Sequence, residues 1–447
     1  MPIRRVPGTD VDYLLISYDA DGRERAEPDG TMLSHEAVTR LANTANGITD
    51  VFFTSHGWKG DVKAAIEQYD KWIGAMVALE ADRAYAREQR PGFTPLIVGL
   101  HWPSLPWGDE DIPAGGTVEP LEREVSAYAH RIADTPDARD AIRSILQTAK
   151  AGAHGDTLTP TTQAAYDTLF KESGLGAGDV GAAPGADQDG WNPQHIIDEE
   201  RANAADGTDD AEAEDDGGGF FASIKDHLLS PLRQASFWAM KKRAHLFGES
   251  GGHELLVAMQ SAAPETTRFH LMGHSFGCIV VSATIAGGEQ SKALSRPVDS
   301  LFLVQGALSL WAFAPDIPYA AGTPGYFHRI VSKELVKGPI VTTRSTHDRA
   351  VGHYYPRGAR LKRQLDLVDM DFPKYGGVGS FGIQGVATTQ DFPIKPPTSP
   401  YGFQRGSVYN VESSRIIKTG GGASGAHSDI AHPEVAHIFW EAALAGL

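Results

Sequence analysis

The sequence predicts an α/β protein with a mostly parallel central sheet and helices on both faces, and three observations lead there. Short apolar, β-branched runs recur along the chain with helical stretches between them, the alternation of a βαβ architecture. One of these runs, at 268–272, passes through Gly273 and Gly277 directly into a helical stretch, a strand-turn-helix unit. The 447 residues are 41% hydrophobic and 22% charged, so there is enough apolar side chain to bury a large core.

Taken in order, strands are expected at 13–18, 50–54, 96–101, 268–272, 300–305, 340–344 and 408–417. Helices are expected at 62–90, 281–286 and 433–444, the last opened by Pro433, which suits a first helical turn. Two intervals exceed the ~15 residues that a structureless connection inside a compact domain usually allows, and are read as insertions. The first, at about 106–234, divides a core of 1–105 and 235–447. It holds a helical stretch at 119–150 and then a Gly-, Ala- and Asp-rich stretch at 174–219, which has too little apolar surface to offset its chain entropy and is expected to be mobile. The second, at about 354–405, is rich in Gly and Pro with Phe372, Tyr375, Phe381, Phe392 and Tyr401 spread through it. It reads as an ordered loop packed by aromatics.

Charge narrows the range of partners. The net charge is -17, but 198–216 carries ten acidic residues and one Arg, so the body is only mildly acidic. Its basic clusters, at 241–243 and 357–363, are too small for the basic face that phosphate-backbone binding requires, and nucleic acid is not an expected partner. The longest apolar stretch, 301–315, is broken by Gln305 and Gly306 and is short of the ~18 residues a membrane span needs, so no stable membrane insertion is expected. With a single cysteine, Cys278, neither an intramolecular disulfide nor a cysteine-based zinc cluster can form. The opening residues contain no apolar secretory run, and a cytoplasmic location is expected.

The strongest chemical signal is Gly273-His274-Ser275-Phe276-Gly277 between a strand and a helix. A strand-to-helix turn this tight pushes a Ser Oγ into the open, and the small flanking residues let the two elements approach. Upstream, the strand at 50–54 ends in His56-Gly57-Trp58. Two backbone N–H groups must face the developing oxyanion of an acyl transfer, one after the nucleophile and one from an earlier strand's loop, which points to Phe276 and Trp58. A Ser nucleophile also needs a base and an orienting acid. Asp348 follows the strand at 340–344, with Asp316 as its rival. His427 lies in a loop before the last helix, with His432 and His437 as competing histidines. Cys278 reads as a buried small residue, and 253–257 lacks the second His of a zinc-protease helix.

In these pieces and in their order, Ser275, then Asp348, then His427, the chain resembles α/β-hydrolases of the serine-esterase and lipase type. Trp102-Pro103-Ser104, 346–351 and 426–429 resemble bacterial members of that superfamily. The resemblance covers 11–105, 235–352 and 406–447, outside both insertions. It implies hydrolysis of a small-molecule or lipid-like carboxylic ester through an acyl-enzyme, with catalytic Ser275, Asp348 and His427, an oxyanion hole at Trp58 and Phe276, and His56, Gly57, His274 and Trp102 lining the substrate site. Neither cofactor nor metal is called for. An amide, thioester or lactone hydrolase would use the same machinery, and a binding protein on a hydrolase fold is the rival from another class. The apolar stripe at 220–247 divides into a first half that could join 119–150 as a lid over Ser275 and a second half read as a core helix.

Overall fold

The computed structural model describes residues 3–19, 21–58, 62–104, 120–151, 157–175, 183–184, 190–205, 227–350, 372–420 and 425–447. The strands within them are β1 (Ile3–Arg5), β2 (Asp12–Ser17), β3 (Asp50–Ser55), β4 (Pro95–His101), β5 (Arg268–His274), β6 (Ser300–Val304), β7 (Ile340–Arg344), β8 (Thr389–Pro393) and β9 (Val408–Glu412). They form one sheet in the order β1-β2-β4-β3-β5-β6-β7-β9-β8, in which β1 runs antiparallel to β2 and every other neighbouring pair is parallel. The first helices are α1 (Leu33–Ala42), α2 (Val62–Ala78), α3 (Glu80–Gln89), α4 (Pro120–Ile132), α5 (Pro136–Lys150), α6 (Pro160–Ser173) and α7 (Pro193–Ala205). There follow α8 (Ser230–Phe247), α9 (His253–Ala262), α10 (Gly277–Ala286), α11 (His328–Ser332), α12 (Val378–Phe381) and α13 (Pro433–Leu444).

Parallel strands covered on both faces read as almost unbroken apolar runs, and their two-residue period sorts each run between two cores. Val51 and Phe53 of β3 and Leu301 and Leu303 of β6 point to one side, where they meet α1, α8, α9 and α10. Phe52, Phe302 and Val304 point to the other, against α2, α3 and α13. The insertion helices α4, α5 and α6 contribute Tyr128, Ile142 and Leu169 to the first of these clusters, so they extend that core rather than building their own. No helix among the described residues is long and apolar enough to cross a membrane.

Consecutive strands β4 and β5 lie on opposite sides of β3. The strand order therefore reverses at β3, and the region beyond the C-terminal ends of β3 and β5 is the place where open α/β sheets hold ligands. Register brings two loops together there. Ser55 of β3 pairs with Gly273 of β5, so the next residues, His56-Gly57 and His274-Ser275, run side by side.

Several expectations change in detail. The helix expected over 62–90 is two helices broken at Leu79. The stretch 119–150 is likewise two, because Thr135 caps the N-terminus of α5, accepting from the Ala138 amide, with Pro136 in its first turn. Within 174–219, read as mobile from its composition, the described residues include α7, Ile197 is buried, and Trp191 stacks on Phe170 at 4.7 Å. The acidic run 206–216 lies outside the described residues. Within the second insertion, 372–405 is more than a loop, since it supplies α12 and the edge strand β8. The polar sequence of β8, Thr-Gln-Asp-Phe-Pro, shows no apolar run because an edge strand is held by its ladder to β9 and faces water. The second half of the 220–247 stripe lies in α8, a core helix burying Phe237, Trp238 and Met240; of the first half, 220–232, residues 220–226 lie outside the described residues and Leu228, Leu229 and Leu232 are buried.

Candidate active site

Ser275 sits between β5 and α10 with φ of +56°, one of three described non-glycine residues with positive φ. For a side chain with a Cβ this costs ~1 kcal/mol or more, and it persists only where the surroundings over-determine it. The surroundings are the two glycines of the motif. A Cβ on Gly273 would run into the carbonyl of Gly277, and one on Gly277 would run into the carbonyls of Ser55 and His56. Strand, turn and helix can thus approach each other only with hydrogen at both positions. The Ser275 amide donates to the Val304 carbonyl at 3.1 Å, which ties the turn to β6.

The loop after β3 lies directly on this turn. A Cβ on Gly57 would come within 2.8 Å of Ser275 Cβ and 3.2 Å of the His274 carbonyl. Trp58 stacks on Phe276 with ring centroids 5.6 Å apart, and Phe237 of α8 packs its ring against both. Phe276 is the N-cap residue of α10, so its N–H has no partner within the helix. The side chain of Tyr69, on α2, accepts from the His56 amide at 2.9 Å and reaches the Leu100 carbonyl at 2.5 Å. Trp102 Nε1–H donates to the His56 carbonyl at 3.0 Å. His56 Nδ1–H donates to the Gly57 carbonyl at 2.8 Å, which leaves Nε2 to accept from His101 Nδ1–H at 3.1 Å. Burial pushes His56 down to about 3 and His101 down to about 4, so both rings are neutral.

Asp348 and His427 come together from opposite ends of the downstream sequence. His427 Nδ1 lies 2.8 Å from Asp348 Oδ2, with both residues buried. A carboxylate only accepts, so Nδ1 carries the hydrogen and Nε2 is left with the lone pair. The loop of each residue is clamped to that of the other. Asp348 bridges Gly425 in antiparallel pairing, the Ala426 amide donates to the His347 carbonyl at 3.0 Å, and Ser345 Oγ donates to the Ile417 carbonyl at 2.7 Å. Asp429 accepts from the amides of Lys418 and Thr419 and faces His432, holding the His427 loop from its other side.

The rivals are engaged elsewhere. Asp316 is exposed and accepts from the Gly322 amide in a turn. His432 faces Asp429, and His437 faces Asp82 of α3.

His274 is buried beneath the pair. Its Nε2–H donates to the His427 carbonyl at 2.9 Å, its Nδ1 accepts from Gln68 Nε2 at 3.2 Å, and burial and then neighbouring His427 hold it down to about 3. The polar atoms of His56, His274 and Trp102 are thus engaged with the loops themselves, while Gly57 packs against Ser275. Cys278 is buried, its Sγ–H aimed at the Gly273 carbonyl at 3.1 Å, and burial pushes its thiol well up.

Residues the sequence reading did not single out are Gln68, Tyr69, His101 and Gln305, which donates to Asp348 Oδ2 at 2.9 Å. Gln305 and His101 did carry a signal, each being a polar residue at the C-terminal end of an apolar strand run. Gln68 and Tyr69 had none, since only the packing of α2 brings them to the site. Among the described residues no group of three His, Cys, Asp or Glu side chains converges as a metal site would require. Comparison with protein-family models, with curated proteins and with solved structures gives no match, so the chemical reading of this site stands on its geometry.

Proposed function

We propose that the chain is a serine hydrolase with an α/β-hydrolase fold, cleaving carboxylic esters through an acyl-enzyme. The observation that carries the reading is a Ser in left-handed backbone at a strand-to-helix turn, next to the reversal of strand order, in a chain that also holds a buried Asp348–His427 pair. A turn that merely changed direction would place Gly at the strained position, and a neutral His whose Nδ1–H is held by a buried carboxylate presents at Nε2 the lone pair that a general base needs.

In this reading Ser275 Oγ attacks the acyl carbon while His427 Nε2 takes its proton. The carbonyl π electrons move onto oxygen, which is received by the N–H groups of Phe276 and Trp58. Collapse of the tetrahedral intermediate breaks the bond to the leaving alcohol, which takes the proton from His427. Water, activated by the same Nε2, then attacks the acyl-enzyme and releases the acid. Asp348 keeps the hydrogen on Nδ1 throughout and stabilises the imidazolium. His274 is assigned as a positioning residue, since it holds the backbone of the base. An amide, thioester or lactone would meet the same groups, and chain-length preference depends on the insertions.

The test is a fluorophosphonate probe followed by peptide mapping. Labelling at Ser275, abolished in Ser275→Ala, supports the proposal. A folded protein that resists the probe would mean a binding protein on this fold.

A further inference from the structure

The residue after β6, Gln305, is fully buried and has φ of +48°. A long, non-glycine side chain in left-handed backbone is strained, and here the strain accompanies a fully directed side chain. The Gln305 amide N–H donates to Thr343 Oγ1 at 3.1 Å, so the one hydrogen of that hydroxyl is left for Gln305 Oε1, also at 3.1 Å. With Oε1 facing Thr343, Nε2 must face the other way. It donates to Asp348 Oδ2 at 2.9 Å, with the Gly379 carbonyl 3.4 Å away. That oxygen is the one His427 Nδ1 meets at 2.8 Å. Gly379 closes the space, since a Cβ there would stand 3.0 Å from Asp348 Oδ2 and 2.8 Å from the Gln305 carbonyl carbon.

We infer that Gln305 is a positioning residue for the acid of this site, holding Asp348 Oδ2 in line with His427 and drawing off part of the carboxylate charge that His427 would otherwise feel. Thr343 is the residue that orients it. The inference rests on reading Ser275, His427 and Asp348 as a working triad. It says something a buried, satisfied amide would not: removing the donor leaves more negative charge on the imidazolium's partner, so the base becomes harder to deprotonate. A hydrogen bond to a charged group is strong enough to move such an equilibrium by about one pH unit.

The experiment measures the second-order rate of fluorophosphonate labelling at Ser275 against pH for the wild-type protein, Gln305→Met, Thr343→Val and Thr343→Ser, with melting temperatures alongside. Gln305→Met keeps the volume and loses the donor. Thr343→Val keeps Gln305 but frees its amide to turn, and carries the test if Gln305→Met does not fold. Expected for both are labelling slowed roughly 10- to 100-fold, less than the ~10⁴ that follows a wrong imidazole tautomer, and an acid limb moved up by roughly half to one pH unit. Thr343→Ser should stay close to wild type. Folded variants that label at the wild-type rate with an unmoved acid limb, whatever their melting temperatures, would overturn the inference and leave the triad standing. A wild-type protein that is not labelled at Ser275 would remove the triad, and the role of Gln305 with it.

Discussion

At the scale of single residues, the site depends on atoms that no neighbouring residue can replace. Ser275→Ala should abolish ester hydrolysis without unfolding the protein, with turnover down by about four to six orders of magnitude, and His427→Ala should be nearly as severe. A clean Ser275→Ala protein that hydrolysed aryl acetates at the wild-type rate would end the assignment. Asp348→Asn should lower turnover about 10⁴-fold, because an amide facing Nδ1 lets the imidazole take the wrong tautomer. If Asp316→Asn were the crippling change instead, the acid would have to be reassigned, against its exposed place in a turn. Gly57→Ala is a sharper geometric test. Its Cβ would stand 2.8 Å from that of Ser275, so the two loops would have to part. A displacement of about an ångström at a reacting centre costs on the order of 10²-fold in rate, and the labelling rate at Ser275 should fall by that much while the far-ultraviolet dichroism stays that of the parent.

At the scale of elements, β5 and α10 meet at a distance set by hydrogen atoms. Gly273→Ala and Gly277→Ala each place a methyl against backbone that cannot move alone, and each should destabilise the protein by ~1–3 kcal/mol or more. Chemical denaturation would show it as a lowered midpoint at unchanged slope. The insertion makes a second prediction. Ile197 of α7 is buried and Glu200 lies 3.8 Å from Arg233 of α8, so α7 is part of the packed structure despite its acidic, Ala-rich sequence. Ile197→Ala should lower stability by ~2–5 kcal/mol. An unchanged unfolding curve would mean that α7 is not held against α8. Helix α8 itself ties the insertion to the site through Phe237, which touches both Trp58 and Phe276, so the Trp58 loop and the insertion are expected to loosen together.

For the whole molecule, pH should act on stability through histidines that burial keeps neutral. His56 and His274 are held down to about 3 and His101 down to about 4, against 6.5 for an unburied imidazole. Below pH 6.5 the unfolded chain takes up protons at these three positions and the folded protein does not. Their contribution is therefore fully present above about pH 6.5 and is lost progressively as pH falls toward 4. His437 works the other way: burial lowers it, but Asp82 overcomes that and raises it, so its contribution is lost as pH rises. His270, which burial also lowers, acts with these three, so four lowered rings outnumber the one raised, and the melting temperature should drop steadily from pH 6.5 to pH 4. A melting temperature flat across that window would show that these rings are hydrated.

Much of this was legible in the sequence because it is local. The seven strand runs, the last of which stops at Glu412 rather than at 417, Gly273 to Gly277 between a strand and a helix, and His56-Gly57-Trp58 at the end of another strand follow from apolar periodicity and from what glycine alone permits. Asp348 was reached from its place just after a strand and His427 from its loop before the last helix, and the structure brings them to 2.8 Å. What the sequence did not carry depends on contacts distant along the chain. Strand β8 has no apolar signature because its stability comes from the ladder to β9. Helix α7 looks unfavourable alone and is held by α8. Tyr69 and Gln68 are ordinary polar residues until the packing of α2 sets their neighbours, whereas Gln305 and His101 were marked only as polar residues at strand ends and owe their partners to the order of the sheet. Local pattern chose the elements and the strained Ser; the burial of uncharged polar side chains against one another, which only the assembled sheet and its helices impose, decided which of them hold Asp348, His427 and the His56-Gly57-Trp58 loop in place.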